Sequence, residues 1–255
     1  MLDYLYPKSP EVTYGYYTYQ AATQDSNEDA VGYGAGKLGH VLVVADGVGS
    51  DERGRTASQL VVNRVVSDVA NDALWPPADL ALKHSLERAN VELVSAQQLA
   101  PSLKGMASTC VAALIHGNVL YTAHVGNSRA YLVRGKKMWR LTRDHTLVED
   151  LVDSGQVAYE DALQRPEASV LQRVMGVSVE TEVDLLQEPL TLEVGDRVAL
   201  CSDGILHMVT EREVARLVRE LDPQEACNQI LGTAYDRQSK DDATIAVMRF
   251  DSLLV

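Results

Sequence analysis

The sequence predicts an α+β fold in which β-sheets are covered by pairs of helices. Short apolar runs of strand length alternate with two consecutive pairs of amphipathic helices, one between residues 54 and 98 and one between residues 210 and 236. Paired helices argue against a parallel βαβ sheet, in which single helices would separate the strands. The 255 residues are 46% hydrophobic, which is enough for a large core, and no repeat or linker divides them.

The first half of the chain begins with β-prone segments. The tyrosines near residue 16 suit a half-buried sheet surface, and HVLVVAD is an apolar run that ends in an acid. Val61, Val65 and Val69 recur four apart, as on one face of a helix. The predicted elements are, in order, strands at 13–22 and 40–46, helices at 54–74 and 78–98, and three strands within 108–135, with hairpin turns at 116–118 and 126–128.

The second half repeats the alternation. Gly155 is a stop signal for a short helix, and Thr210 with Glu213 predicts a capping box. Residues 156–180 are less periodic and read as a surface segment. The predicted elements are, in order, a helix at 146–155, two strands within 182–204, helices at 210–221 and 223–236, and a strand at 242–250.

Charge and cysteine content exclude several classes of protein. The formal net charge is −13, so the surface repels phosphate backbones and we expect no nucleic-acid partner. The three cysteines form no CxxC pair, which argues against a zinc cluster and favours a reducing, cytoplasmic location. The N-terminus does not resemble a signal peptide, and no apolar run is long enough for a membrane span, so we expect no membrane association.

Acidic residues stand where several predicted strands begin or end. Asp46 and Asp203 each follow an apolar strand and precede a glycine, Asp241 opens the last strand, and Glu28 and Asp29 open an early one. Each acid alone fits a turn or a cap. Together they indicate carboxylates held close to one another, which repel unless they are protonated or neutralised by a cation. Oxygen ligands favour Mg²⁺ or Mn²⁺.

The order of these motifs resembles the PP2C (PPM) family of metal-dependent serine/threonine phosphatases, in its bacterial form. The resemblance covers about residues 13–250. The motifs that carry it are NEDA (27–30), ADGVG (45–49), STCVAALI (108–115), VGNSRAYL (125–132), LTRDHTLVEDLVDSG (141–155), LCSDGIL (200–206) and DDATIAV (241–247). It implies a single domain over 1–255, built as a four-layer αββα sandwich of two mainly antiparallel sheets between helix pairs. It also implies a flap segment at about 145–180.

The resemblance also implies the roles of the acids. Asp46 would bridge two Mn²⁺ or Mg²⁺ ions, and the Gly47 carbonyl would ligate one of them. Asp203 and Asp241 would hold the other ion. Asp29 and Glu28 would bind directly or through water, and Asn127 would belong to a third, weakly bound ion.

The implied reaction is hydrolysis of phosphoserine and phosphothreonine by a hydroxide that bridges the two ions. The partners would be phosphoproteins, namely a Ser/Thr kinase and its substrates, and the chain would act as a monomer. A cysteine phosphatase needs Cys followed six residues later by Arg. Here those positions hold His116, His207 and Thr233, so no cysteine nucleophile is indicated.

Two positions depart from the family pattern. Gln24 stands where the family has an arginine that clamps the substrate phosphate, and Asn127 stands where it commonly has Asp. A neutral amide gives no charged bidentate contact. Arg53 and Arg55, near the start of a predicted helix, are candidates to replace the clamp. The alternative is that both pair with Asp51 or Glu52 at the surface.

Two other functions stay open at this point. The departures at Gln24 and Asn127 favour a degenerate domain that binds phosphoproteins or a kinase as a regulator with little turnover. A hydrolase of small phosphorylated metabolites is the other alternative. One of the six histidines could also supply a general acid, although core or surface roles are more common for such residues.

Overall fold

The structure is a computed structural model that describes residues 10–49, 52–71, 77–162 and 164–252. The described strands are β1 Glu11–Tyr19, β2 Asp29–Gly36, β3 Gly39–Val48, β4 Ala107–Ser108, β5 Cys110–His116, β6 Val119–Val125, β7 Arg129–Arg134, β8 Lys137–Arg140, β9 Asp184–Leu185, β10 Leu190–Thr191, β11 Arg197–Cys201 and β12 Ala243–Ser252. The described α-helices are α1 Glu52–Asn71, α2 Ala78–Leu99, α3 Leu147–Asp153, α4 Tyr159–Ala162, α5 Asp203–Leu206, α6 Glu211–Glu220 and α7 Pro223–Asp236.

The strands form two antiparallel sheets. The first sheet has the order β1-β12-β11-β7-β8. The second has the order β10-β6-β5-β3-β2, with the short strands β4 and β9 pairing to β3 and β6. Every described strand pair is antiparallel, as the resemblance implies.

Helix pairs cover both outer faces, so the fold is the expected four-layer α+β sandwich. The apolar run in β3 shows how the layers are built, because alternate residues point to opposite faces. Val41, Val43 and Ala45 pack against α1 and α2, whereas Leu42 and Val44 pack between the sheets. All five are fully buried, which explains why the run carries no polar alternation. Helices α6 and α7 cover the first sheet.

Several helix ends follow the predicted signals. Thr210 and Glu213 form the capping box at the start of α6, and Thr146 caps α3. Gly155, just beyond α3, has a φ of 73°, in the left-handed region that favours glycine. Helix α1 ends at Asn71 within the described residues, so the predicted continuation to residue 74 lies outside them.

The turn at residues 126–128 was wrongly predicted to be a hairpin. Strand β6 belongs to the second sheet and β7 to the first, so this turn carries the chain across the sandwich. Gly126 has a φ of 105°, and a Cβ there would lie 2.6 Å from the Thr109 side chain. Residues 182–204 are likewise divided, since β9 and β10 pair with β6 while β11 joins the first sheet. Strand β8 was not predicted.

No helix among the described residues is both long enough and apolar enough to cross a membrane.

Candidate metal centre

Asp29 and Asp46 lie opposite each other at one end of the second sheet. Asp29 opens β2, and its register partner in β3 is Asp46. Strand β3 runs on to Val48, so Asp46 lies inside the strand rather than directly after it. The backbone N–H of Asp46 donates to Thr109 Oγ1 over 3.0 Å, and the Thr109 N–H returns a bond to the Asp46 carbonyl at 2.8 Å. This exchange fixes the position of the Asp46 backbone.

Asp203 and Asp241 come from the same end of the first sheet. Asp203 begins α5 after β11, and Asp241 precedes β12. Strands β11 and β12 are antiparallel, so the end of one adjoins the start of the other. Ser202 links the two sheets, because its hydroxyl donates to Asp29 Oδ2 over 2.7 Å. The structure therefore brings four predicted acids together from four strands, at one end of the sandwich.

Burial, together with the charges of neighbouring acids, raises the pKa values of Asp29, Asp46 and Asp241. Burial, which is the largest cause, and the charges of Asp203 and Asp242 raise the pKa of Asp29 to about 8, against the lowering effect of two hydrogen bonds. Burial and the neighbouring Asp29, Asp203 and Asp241 raise the pKa of Asp46 well above its usual range. Burial and Asp203 raise the pKa of Asp241 to about 6. The cluster cannot be fully ionised near neutral pH without a compensating cation.

The donor set fits hard divalent ions. All four side chains offer carboxylate oxygen as the ligand atom. No thiolate or imidazole belongs to this set, which disfavours zinc. Gly47 suits a crowded position beside them, since a Cβ there would lie 2.0 Å from the Gly54 carbonyl oxygen. Gly204 is equally constrained, with the Asp242 carbonyl oxygen 2.0 Å from the position of a Cβ. These contacts explain why glycine follows each of the two aspartates.

Asp242 supports the site and was not predicted from the sequence. It is 5% exposed, and its two carboxylate oxygens accept from the backbone N–H groups of Ala21 at 2.8 Å and Glu28 at 2.7 Å. It therefore fixes the segment that leads into Asp29. The acidic pair at 241–242 was the available signal, but only the structure separates an acid that faces the cluster from one that clamps the backbone.

The remaining sequence candidates lie around this centre. The Glu28 carboxylate packs against Gly54 in the first turn of α1. Gln24 belongs to a turn that adjoins Lys240, through a hydrogen bond from Thr23 Oγ1 to the Lys240 carbonyl at 2.6 Å.

The two candidate arginines have surface partners. Arg53 Nη1 donates to the Lys104 carbonyl at 3.1 Å. Arg55 pairs with Glu52 at 3.7 Å, where both side chains are largely exposed. Asp51, the other expected partner, lies outside the described residues. The pairing of Arg55 agrees with the alternative of a surface ion pair, and the clamp role of either arginine stays a prediction.

Asn127 reaches the centre from the turn between the sheets. Its Nδ2 donates to Asp203 Oδ2 at 2.8 Å, while its buried Oδ1 has no hydrogen-bond partner in the described part of the chain. His207 also approaches, with Nε2 3.9 Å from Asp203 Oδ2. The amide thus supplies a neutral donor to Asp203 at the position where the family commonly has a fifth acid.

A second group of possible ligands, His124, His145 and Asp184, lies outside this centre. The hydrogen bonds of His145 do not suit a metal. His145 Nδ1 accepts the Gly126 N–H at 3.0 Å, so in the neutral ring the proton sits on Nε2, which faces Asp184 Oδ2 at 3.2 Å. Metal-bound histidines instead donate from the nitrogen that does not bind the ion. Asp184 is also paired with Arg173 at 2.7 Å.

Comparison with known proteins agrees with this geometry. The family model of protein phosphatase 2C matches residues 18–233. The serine/threonine phosphatase stp of Listeria monocytogenes serotype 4b (strain F2365) is 31% identical over 216 residues, covering 83% of this chain and 84% of that protein.

Solved structures have the same fold. The crystal structure of serine/threonine phosphatase Stp1 from Staphylococcus aureus has a TM-score of 0.88 at 29% identity, covering 96% of this chain and 98% of that one. The catalytic domain of serine threonine protein phosphatase PstP, in complex with 2 manganese ions, has a TM-score of 0.82 at 27% identity, covering 94% and 99%. The chain belongs to the protein phosphatase 2C family.

Proposed function

We propose that the chain is a metal-dependent protein phosphatase that hydrolyses phosphoserine and phosphothreonine and so reverses a Ser/Thr kinase. The observation that carries this is the convergence of Asp29, Asp46, Asp203 and Asp241 at one end of the sandwich. Three of the four have raised pKa values, so a bound cation would stabilise their ionised form. The phosphatase names of the relatives and the two manganese ions of the PstP structure support the same function.

The chain's own residues would divide the work as follows. Asp46 would hold both ions and the Gly47 carbonyl one of them, Asp203 and Asp241 would hold the other ion, and Asp29 and Glu28 would bind directly or through water. When bound, the ions would polarise the phosphoryl oxygens and lower the pKa of water, so that hydroxide is available as the nucleophile near neutral pH.

Neighbouring side chains would keep these ligands in place. Ser202 and Thr109 would hold Asp29 and Asp46, and the Asn127 amide would hold Asp203. His207, beside Asp203, would donate a proton from Nε2 to the leaving oxygen of the serine or threonine.

The proposal also covers the metal ions, the location and the oligomeric state. Mn²⁺ or Mg²⁺ would serve, and two ions rather than three, because Asn127 adds no charge beside Asp203. The free cysteines Cys110, Cys201 and Cys227 favour a reducing, cytoplasmic location. The enzyme would act as a monomer on phosphoproteins.

A turnover assay tests the proposal. The protein is treated with EDTA, dialysed, and assayed with p-nitrophenyl phosphate, with phosphoserine and phosphothreonine peptides and with sugar phosphates while Mn²⁺ or Mg²⁺ is added back. We expect activity only with added ion, and a higher kcat/KM for peptides than for sugar phosphates. Full activity after chelation would contradict metal dependence, and a preference for sugar phosphates would favour the metabolite hydrolase.

The regulator alternative is tested in the same experiment. It depends on Gln24 and Asn127, and it expects phosphopeptide binding without turnover at saturating Mn²⁺. The complete set of four converging carboxylates argues against it.

A further inference from the structure

A cavity of about 450 Å³ opens between the flap segment and the start of α6. Its walls are largely apolar, and its volume lies in the range of small-ligand sites. The residues that matter most for its chemistry are Tyr159 from α4 and Leu206, His207, Met208, Val209 and Arg212 from the α5–α6 region.

Tyr159 is a rigid wall of this cavity. Its hydroxyl donates to Glu211 Oε1 at 2.9 Å and accepts from Arg129 Nη1 at 3.4 Å. Arg129 is 2% exposed and is held by Asp144, so the anchor lies in the core. The Arg140 guanidinium lies 5.6 Å from the centre of the Tyr159 ring. The ring is nevertheless 41% exposed, so an anchored aromatic face remains available for a contact.

The cavity adjoins the metal centre through His207. His207 lines it, and His207 Nε2 lies 3.9 Å from Asp203 Oδ2. An extended peptide advances about 3.3–3.6 Å per residue. A side chain one or two residues from a phosphoserine held at the metal centre would therefore lie within reach of this cavity.

We propose that this cavity binds an apolar side chain of the phosphopeptide substrate, one or two residues from the phosphorylated residue. The inference rests on the proposed phosphatase function and adds a sequence preference to it. Tyr159 and Leu206 would contact the apolar side chain, and the anchoring of Tyr159 by Glu211 and Arg129 would prepare the cavity before the substrate arrives.

The preference can be measured with a set of phosphoserine peptides. Leucine or glycine is placed in turn at each of the two positions on either side of the phosphoserine. At one position we expect leucine to raise kcat/KM about tenfold over glycine, the effect of burying most of one apolar side chain. p-Nitrophenyl phosphate has no such side chain and serves as the internal reference.

Arg212 is exposed at the rim of the cavity, so a larger side chain at this position can block it. Arg212→Trp should fill the cavity and abolish the leucine preference without changing turnover of p-nitrophenyl phosphate. Arg216→Trp, one turn further along α6 and not part of the cavity lining, makes the same substitution on the same helix and should leave the preference intact. Tyr159→Ala should reduce the preference, and Tyr159→Phe, which keeps the ring but loses the anchor, should reduce it less.

Non-hydrolysable phosphonate versions of the peptides test the cavity without turnover. Their binding is measured by fluorescence anisotropy in the presence of Mn²⁺. Equal binding and turnover of the leucine and glycine peptides at all four positions would overturn the proposal, and so would a leucine preference that survives Arg212→Trp. A protein that turns over no substrate but still binds the leucine peptide more tightly would contradict the phosphatase function and support the cavity.

Discussion

The side-chain amide of Asn127 donates to the carboxylate of Asp203 across 2.8 Å, and this bond joins the turn between the two sheets to the acid that follows β11. The bond places a neutral donor beside a cluster that already holds four carboxylates. It orients Asp203 without adding charge, and it leaves Asn127 Oδ1 buried without a partner in the described residues.

Replacing this amide by a carboxylate is the first prediction. Asn127→Asp removes the donor and adds a like charge beside Asp203, so we expect the metal-free protein to melt at a lower temperature at pH 8. With Mn²⁺ the variant should bind one more ion than the wild-type chain, counted by isothermal titration calorimetry.

Asn118→Asp is the matched control, because it makes the same charge change in the β5–β6 turn at the other end of the sheet. An unchanged ion count in Asn127→Asp would show that the amide does not limit the number of ions.

Removing a carboxylate should separate activity from folding. Asp46→Asn and Asp203→Asn should each lower kcat by more than about a hundredfold, since loss of a metal ligand costs more than loss of a group that only orients one. Both variants should stay folded by circular dichroism, because each removes repulsion from the cluster.

The control for this pair is Asp222→Asn at the exposed start of α7, the end of the helix away from the Asp241 segment, which should keep full activity. Near-wild-type turnover of either site variant at saturating Mn²⁺ would remove that residue from the metal centre.

The pH dependence of the metal-free protein follows from the raised pKa values. Asp29, with a pKa of about 8 in the folded chain against 3.8 as the ordinary value, favours the folded state when protonated. Its contribution is fully present below about pH 4 and is lost as the pH rises through 8. We therefore expect this cluster to lower the melting temperature of the chelated protein progressively between pH 4 and 8.

Added Mn²⁺ should reverse this loss. At a hundredfold excess over its Kd, an ion that binds only the folded state raises the melting temperature by about 5–10 °C. The shift should be larger at pH 8 than at pH 5, because protons compete with the ion for the carboxylates. An equal shift at both values would contradict the assignment of these acids as ligands.

Restoring the missing arginine tests how the substrate phosphate is held. Gln24→Arg adds a charged donor near the Lys240–Asp242 segment and should lower KM for a phosphopeptide about tenfold, the worth of one charge-assisted bond. Gln59→Arg, on the outer surface of α1, is the control and should leave KM unchanged.

Alanine variants test the replacement clamp. Arg55 pairs with Glu52 and Arg53 donates to the Lys104 carbonyl, so we expect Arg55→Ala to leave kcat/KM within about twofold. A rise in KM of tenfold for Arg53→Ala would identify that arginine as the clamp; a change within twofold for both would exclude it.

The sequence predicts those features of the fold that depend on residues close together in the chain. The apolar run before Asp46, the capping box at Thr210 and the glycines after two aspartates all follow from neighbouring residues. The passage from β6 to β7 between sheets does not, because it depends on the close contact of Gly126 with Thr109, which lies between β4 and β5. Strand β8 is short and half charged, so no periodicity marks it.

The supporting residues of the centre were missed for the same reason. Asp242 and Thr109 act through backbone groups that are far away in the sequence, and an aspartate or threonine carries no local sign of such a partner. The four acids themselves were predictable because each stands near the start or end of a predicted strand, and two of them precede a glycine.

The two bonds of Asp242 also determine when the centre can form. They join residues 221 and 214 positions apart, so they require the last described strand to have been synthesised. At about 5–20 residues per second, the segment with Asp29 waits about 10–40 s on the ribosome for its partner. Until residue 241 has been made, Asp29 and Asp46 have at most Asp203 beside them. The growing chain therefore has no assembled centre, and dephosphorylation begins only after β12 has closed the sheet.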